Sequence, residues 1–162
     1  MENTSVRPTD DAEKVVRIYG DMLLRICFVM LGNEADAEDA VQETIIRYFR
    51  KAPTFESCEH EKAWLIVAAK NICRDMIRFR QRHPQTSIEY LQLLTSDPSD
   101  SGILEALMSL PEKFRLVLTL YYVEGYRVED IAKMISRTPS AVKMRLQKGR
   151  KLLEEKYRKE YL

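Results

Sequence analysis

The side chains able to do chemistry are gathered in three helix-length stretches, and the chemistry they suit is recognition, not bond making. Between Tyr126 and Leu153 (YRVEDIAKMISRTPSAVKMRLQKGRKLL), Ser140, Lys143, Met144, Gln147, Lys148 and Lys151 recur at spacings that place them on one side of a helix. Arg145 and Arg150 flank that side, within reach of phosphates. Glutamine pairs with adenine edges, a methionine contacts a thymine methyl, and lysine or arginine takes guanine or phosphate. From Arg137 to Lys159 nine residues are Lys or Arg and only Glu154 and Glu155 are acidic, so this face suits DNA. A solvated basic face on an ordinary bundle is the plain alternative.

The second stretch, from Glu34 to about Lys51, carries Asp39, Gln42, Glu43, Ile46 and Arg50 on one side, with Phe49 at its margin. Ile46 is apolar where the period calls for a wet residue. Ringed by acids and a glutamine, it suits docking on a protein. The third stretch runs from near Glu61 to Arg82 and places Val67, Lys70, Asn71, Arg74 and Arg78 on an outer face with Trp64 at its rim. Cations, one amide and an aromatic suit unpaired bases, which stack on aromatic rings. Burial of Trp64 in a core is the competing use, and one ring can serve both.

These faces need scaffolds, and the spacing of apolar residues supplies them. Val128, Ile131, Ala132 and Ile135 form one helical stripe, and Ala132 is small enough for a second helix to cross above it. Thr138 is a good N-cap and Pro139 suits the first helical position. Val142, Leu146, Gly149 and Leu153 then make a new inward stripe, so Tyr126–Leu153 predicts a helix-turn-helix whose second helix enters the major groove. Upstream, Val15, Ile18, Tyr19, Met22, Ile26 and Val29, widened by Leu23 and Met30, predict a core helix opening at Asp10-Asp11 and ending at Gly32, with Asn33 capping the next. Ala37, Val41, Thr44, Ile45 and Tyr48 are the expected inner face of the second helix. Leu65, Ala69, Ile72, Met76 and Phe79 are that of the third. Pro53 to Glu59 is a loop, and a helix from Glu112 to Val123 stops at Gly125.

The expected fold is all-α, with two small helical domains joined by a flexible linker. Residues 1–9 are a disordered leader, 10–83 the first domain, 84–102 a turn-rich linker ending TSDPSDSG, and 103–162 the helix-turn-helix domain. The 162 residues suffice for this, and 45% hydrophobic content allows real cores. Net charge is +1, so the distribution of charge matters more than its sum: Glu34, Asp36, Glu38, Asp39 and Glu43 crowd one segment and cations crowd two others. Three scattered cysteines, Cys27, Cys58 and Cys73, imply no disulfide framework and fit a reducing cytosol. Cys58-Glu59-His60 lacks a second pair of nearby ligands, so no metal is expected. No signal peptide or run of about 18 apolar residues is present, and the expected location is cytoplasmic. No nucleophile–base set or phosphate loop is visible, so neither an enzyme nor a cofactor is expected.

Three blocks then carry a resemblance: LGNEADAEDAVQETIIRYFR (Leu31 to Arg50), KAWLIVAAKNICRDMIRFRQR (Lys62 to Arg82), and LPEKFRLVLTLYYVEGYRVEDIAKMISRTPSAVKMRLQKGRKLL (Leu110 to Leu153). Together they resemble the sigma-70 family of bacterial RNA polymerase initiation factors, in its extracytoplasmic-function (ECF) group. The resemblance implies a non-catalytic specificity subunit. Asp39, Gln42, Glu43, Ile46, Phe49 and Arg50 would meet the β′ clamp helices of core RNA polymerase, with the β subunit a further contact. Trp64, Lys70, Asn71, Arg74 and Arg78 would melt and read the −10 element of promoter DNA, and the loop Ala52 to Glu61 would help hold a flipped base. Arg137, Ser140, Lys143, Met144, Arg145, Gln147, Lys148 and Arg150 would read the −35 element. An anti-sigma factor, often membrane-bound in this family, is a further implied partner. Ser136 stands where the family usually has glycine in the turn, Arg137 where an apolar residue is common, Arg127 where a Ser or Thr cap is usual, and Ser140-Ala141 where Gly-Thr or Gly-Ser is frequent. The alternative is a helix-turn-helix regulator that binds duplex DNA without polymerase, which would need neither the Ile46 patch nor the basic stripe of the third helix.

Overall fold

The computed structural model describes residues 9–80 and 101–161, which form two separate compact units and, among the described residues, contain helices and no strand. Residues 1–8 of the expected leader (1–9) and 84–100 of the expected linker (84–102) lie outside the described residues, and Thr9 already begins the first helix.

The first unit packs three helices against one another: α1 (Thr9–Leu31), α2 (Glu34–Lys51) and α3 (Cys58–Arg80). The α1–α2 corner follows from two adjacent residues. Gly32 takes φ 69°, a left-handed conformation that suits glycine, and its N–H donates to the Phe28 carbonyl at 2.7 Å. Asn33, extended at φ −144°, then accepts from the Asp36 N–H at 3.1 Å and opens α2. Leu23, Ile26, Phe28 and Met30 are fully buried, each worth about 1.5–3 kcal/mol of transfer free energy. Ala37 and Ala40, wholly buried, let α2 approach closely, and Thr44 disposes of its hydroxyl by donating to the Ala40 carbonyl at 2.7 Å.

Three expectations about inner faces change. Ile18 is 56% exposed, because the buried stripe of α1 is rotated toward Leu23, Cys27 and Met30 and Ile18 falls on the opposite edge. Val41 and Ile45 are half-buried while Ala40 takes the central place on α2. Phe79 is 86% exposed, although it continues the stripe of Leu65 and Ile72, which are both buried. The period gives an angle about the axis, and at the last turn of α3 no described helix packs at that angle. Helix α3 also begins earlier than expected. The Ser57 hydroxyl accepts from the His60 N–H at 3.1 Å, so the connection from α2 is 52–57 only.

The second unit contains α4 (Ser101–Met108), α5 (Glu112–Leu118), a π-helical turn (Thr119–Val123), α6 (Val128–Ile135) and α7 (Pro139–Tyr161). Residues 101 and 102, expected in the linker, already belong to α4, and Gly102 is buried. The expected single helix from Glu112 to Val123 changes winding at Thr119, whose carbonyl accepts from the Glu124 N–H at 3.0 Å. Gly125, at φ 75°, ends the run. Arg115 pins the preceding corner by donating from Nη1 to the Met108 carbonyl at 3.2 Å. Burial pulls its guanidinium below the usual value, and Glu112 counters this. Helices α5 and α7 cross so closely that a Cβ on Gly149 would lie 3.2 Å from a Leu118 methyl. Gly149 is there to permit that approach.

Candidate nucleic-acid and polymerase interfaces

The helix-turn-helix forms as the spacing predicts. Ile131, Ala132 and Ile135 of α6 and Val142 and Leu146 of α7 are buried, with Val128 and Leu153 half-buried. The turn forms with Ser136 where a glycine would be easier. Ser136 adopts φ 56°, ψ 47°, the only non-glycine with positive φ among the described residues. The Arg137 N–H then reaches back to the Ala132 carbonyl at 2.9 Å, a Schellman-type stop. Thr138 accepts from the Ala141 N–H at 3.1 Å and caps α7, with Pro139 at its first position. Arg127, preceding α6, supplies no side-chain cap.

Ser140, Lys143, Met144, Gln147, Lys148 and Lys151 all emerge exposed along α7, Met144 at 70%. Arg137 is exposed on the turn, and Arg145 is half-buried. An open groove beside α7 is lined by Lys113 and Phe114 of α5 and by Met144, Gln147, Lys148 and Leu152. The Lys113 and Lys148 ammonium groups stand 5.1 and 5.8 Å from the Phe114 ring centroid, cation–π contacts that hold positive charge at this edge. Arg150, expected within reach of phosphate, is exposed and donates from Nη1 to the Tyr122 hydroxyl at 2.9 Å.

On α2, Asp39, Gln42, Glu43 and Arg50 are exposed, Ile46 is 42% exposed, and Phe49 is half-buried with its ring edge-on to Tyr48 at 5.5 Å. An apolar side chain thus stands among charges on a wet face, as its spacing predicts.

On α3 the expected stripe is narrower. Asn71 and Arg78 are exposed and Arg74 half-buried, but Lys70 is only 4% exposed. Lys70 is therefore corrected from the outer face to a buried position. Desolvation, then the neighbouring Arg74 charge, push its ammonium below the usual lysine range. Val67 is half-buried as well.

Trp64 is half-buried in a group that spacing did not disclose. Tyr48 stacks on Phe55 at 6.2 Å and 13°, and Trp64 meets both rings edge-on at about 6 Å. His60 stands edge-on to Phe55 at 5.4 Å. The Tyr48 hydroxyl donates to a Glu61 carboxylate oxygen at 2.8 Å and so anchors the group to α3. Phe55 was missed because it sits between helices, outside any periodic pattern; an aromatic in a short polar connection was the only signal. Among the described residues no three metal-ligating side chains converge, and no helix is long and apolar enough to cross a membrane. The free thiols of Cys27 and Cys73 are buried and that of Cys58 is exposed.

A basic helix-turn-helix in one helical unit, and in the other a helix presenting an amide and arginines beside an aromatic cluster, define a DNA-recognising transcription protein. Residues 15–83 match the model of Sigma-70 region 2 and residues 101–153 that of Sigma-70 region 4. The chain is 30% identical over 143 residues to RNA polymerase sigma factor SigV of Bacillus subtilis, with 85% of this chain and 86% of that protein covered. It is also 30% identical over 155 residues to ECF RNA polymerase sigma factor SigE of Mycolicibacterium smegmatis, covering 88% of this chain but spanning only 60% of that protein's length. The solved structure of the sigma factor RpoE in complex with the anti-sigma factor NepR from Bartonella quintana shares the fold, with TM-score 0.74 at 20% identity over 93% of this chain and 98% of that one. The chain belongs to the sigma-70 family and to its ECF group.

Proposed function

We propose that this ECF sigma factor divides its work among three faces. The exposed side of α2, with Asp39, Gln42, Glu43, Ile46, Phe49 and Arg50, docks on the β′ clamp helices of core RNA polymerase. The α3 face, with Trp64, Asn71, Arg74 and Arg78, opens and reads the −10 element, and the connection 52–57 with Phe55 helps hold a flipped base there. The outer side of α7 reads the −35 element. Lys70 acts from beneath, as a buried support to the α3 face. On this reading residues 10–83 and 103–162 are the two functional domains, acting in the cytoplasm without catalysis of their own, and an anti-sigma factor holds the protein inactive.

The observation that carries the reading is Ile46, 42% exposed among exposed acids on a unit that also presents Asn71 and Arg78 to solvent. A regulator acting on duplex DNA alone has no use for either face. Run-off transcription with purified core polymerase and a random promoter library tests it. Transcripts that depend on this protein and share two spaced sequence elements are expected. Duplex binding by the protein alone, with no protein-dependent transcript, would instead favour a stand-alone regulator.

A further inference from the structure

Phe79 is the most exposed large apolar side chain among the described residues. An aromatic side chain so placed at the end of a helix is a poor contributor to folding. Its surroundings narrow what could cover it. At about 100° per residue, Phe79, Asp75, Asn71, Arg78 and Arg74 follow one another around α3 within an arc of about 140°. Asp75, Asn71 and Arg78 are exposed and Arg74 is half-buried. One edge of this arc is therefore an apolar ring, its middle a carboxylate and an amide, and its other edge two guanidinium groups.

That order matches a single strand of DNA. The arginines attract phosphates, while the Asp75 carboxylate repels them and accepts from exocyclic amino groups of bases. Bases are thereby directed to the Asn71–Asp75–Phe79 side and the backbone to the arginine side. Phe79 stands eight residues beyond Asn71, about 12 Å along the helix, too far to share its base. We propose that Phe79 is a stacking platform for a second unpaired base, at the far end of the strand that α3 engages. Stacking on an aromatic is tolerant of base identity, so Phe79 contributes affinity for the opened strand, not sequence preference. This rests on α3 being the −10 reader.

The test compares a short, labelled single-stranded DNA of random sequence with its duplex form, bound by the holoenzyme, with core polymerase alone as control. Phe79→Ala is expected to weaken single-strand binding at least about fivefold and to leave duplex binding unchanged. Phe79→Trp should retain the wild-type affinity, and Phe79→Leu, apolar but without a π face, should behave as Phe79→Ala. Wild-type holoenzyme with no more single-strand affinity than core would overturn the −10 reading of α3 itself. If wild type binds the strand and Phe79→Ala matches it, or if Phe79→Leu binds like wild type, the stacking platform alone falls. Equal losses on strand and duplex, or a loss of thermal stability with strand binding intact, would assign Phe79 to duplex contact or to packing, and equally overturn it.

Discussion

The Arg150 guanidinium on α7 donates to the Tyr122 hydroxyl at 2.9 Å, a bond between this basic helix and the π-helical turn 28 residues earlier. Tyr122 lies edge-on to Tyr121 at 4.9 Å, so a cation expected to seek phosphate is tethered to an aromatic pair. An exposed bond of this kind contributes only about 0.5–1.5 kcal/mol. Its consequence is directional. Tyr122→Phe should free Arg150 and steepen the salt dependence of −35 duplex binding by up to about one phosphate equivalent. In an Arg150→Ala background the same substitution should change nothing. A titration of duplex affinity against salt for the four proteins of that cycle decides it.

Ser136 holds a left-handed conformation at the turn between α6 and α7, where a side chain costs about 1–2 kcal/mol relative to glycine. Ser136→Gly should raise stability by about 0.5–1 kcal/mol, the looser unfolded chain taking back part of the gain. Ser136→Val, β-branched, should lower stability by more than about 1 kcal/mol and weaken −35 binding with it. Denaturant unfolding of the three proteins measures both.

Ile46 stands away from the buried residues Ala37, Ala40, Thr44 and Tyr48 of its own helix. Ile46→Glu should therefore leave the helical circular-dichroism signal and the melting temperature nearly unchanged while lowering affinity for core polymerase by about tenfold or more, the loss typical of a docking anchor. Affinity equal to wild type would remove α2 from the polymerase interface.

Tyr19 is buried in the first unit, and its hydroxyl donates to the Cys58 carbonyl at 3.3 Å. Burial first, and then the Glu61 carboxylate, push its phenol up from 10.0 to about 12. A raised folded value favours the neutral phenol, so this contribution to stability is complete below pH 10 and is lost as pH rises through 10 to 12. Thermal melts across that window should fall more steeply for wild type than for Tyr19→Phe. Parallel slopes would show that Tyr19 does not govern the alkaline limb.

Local residue choices determined the caps, the turns and the apolar stripes of the helix-turn-helix in this protein. Gly32 with Asn33, Thr138 with Pro139, and the stripes of α6 and α7 stand where their types place them, because a cap or a left-handed turn is decided within a few residues. Ile46 was legible for the same reason: its neighbours on α2 set its face. What only the tertiary structure decided is which side of a helix has something packed against it. Lys70 is covered and Phe79 is not, although periodicity puts Lys70 outside and Phe79 inside. Spacing supplies an angle around an axis, whereas burial needs a second helix at that angle and at that height. The same holds for contacts made across the chain: Tyr48, Phe55 and Trp64 converge from two helices and a connection, and Tyr122 meets Arg150 across 28 residues. No local pattern encodes such meetings, because they follow from how the helices cross once their apolar faces are buried.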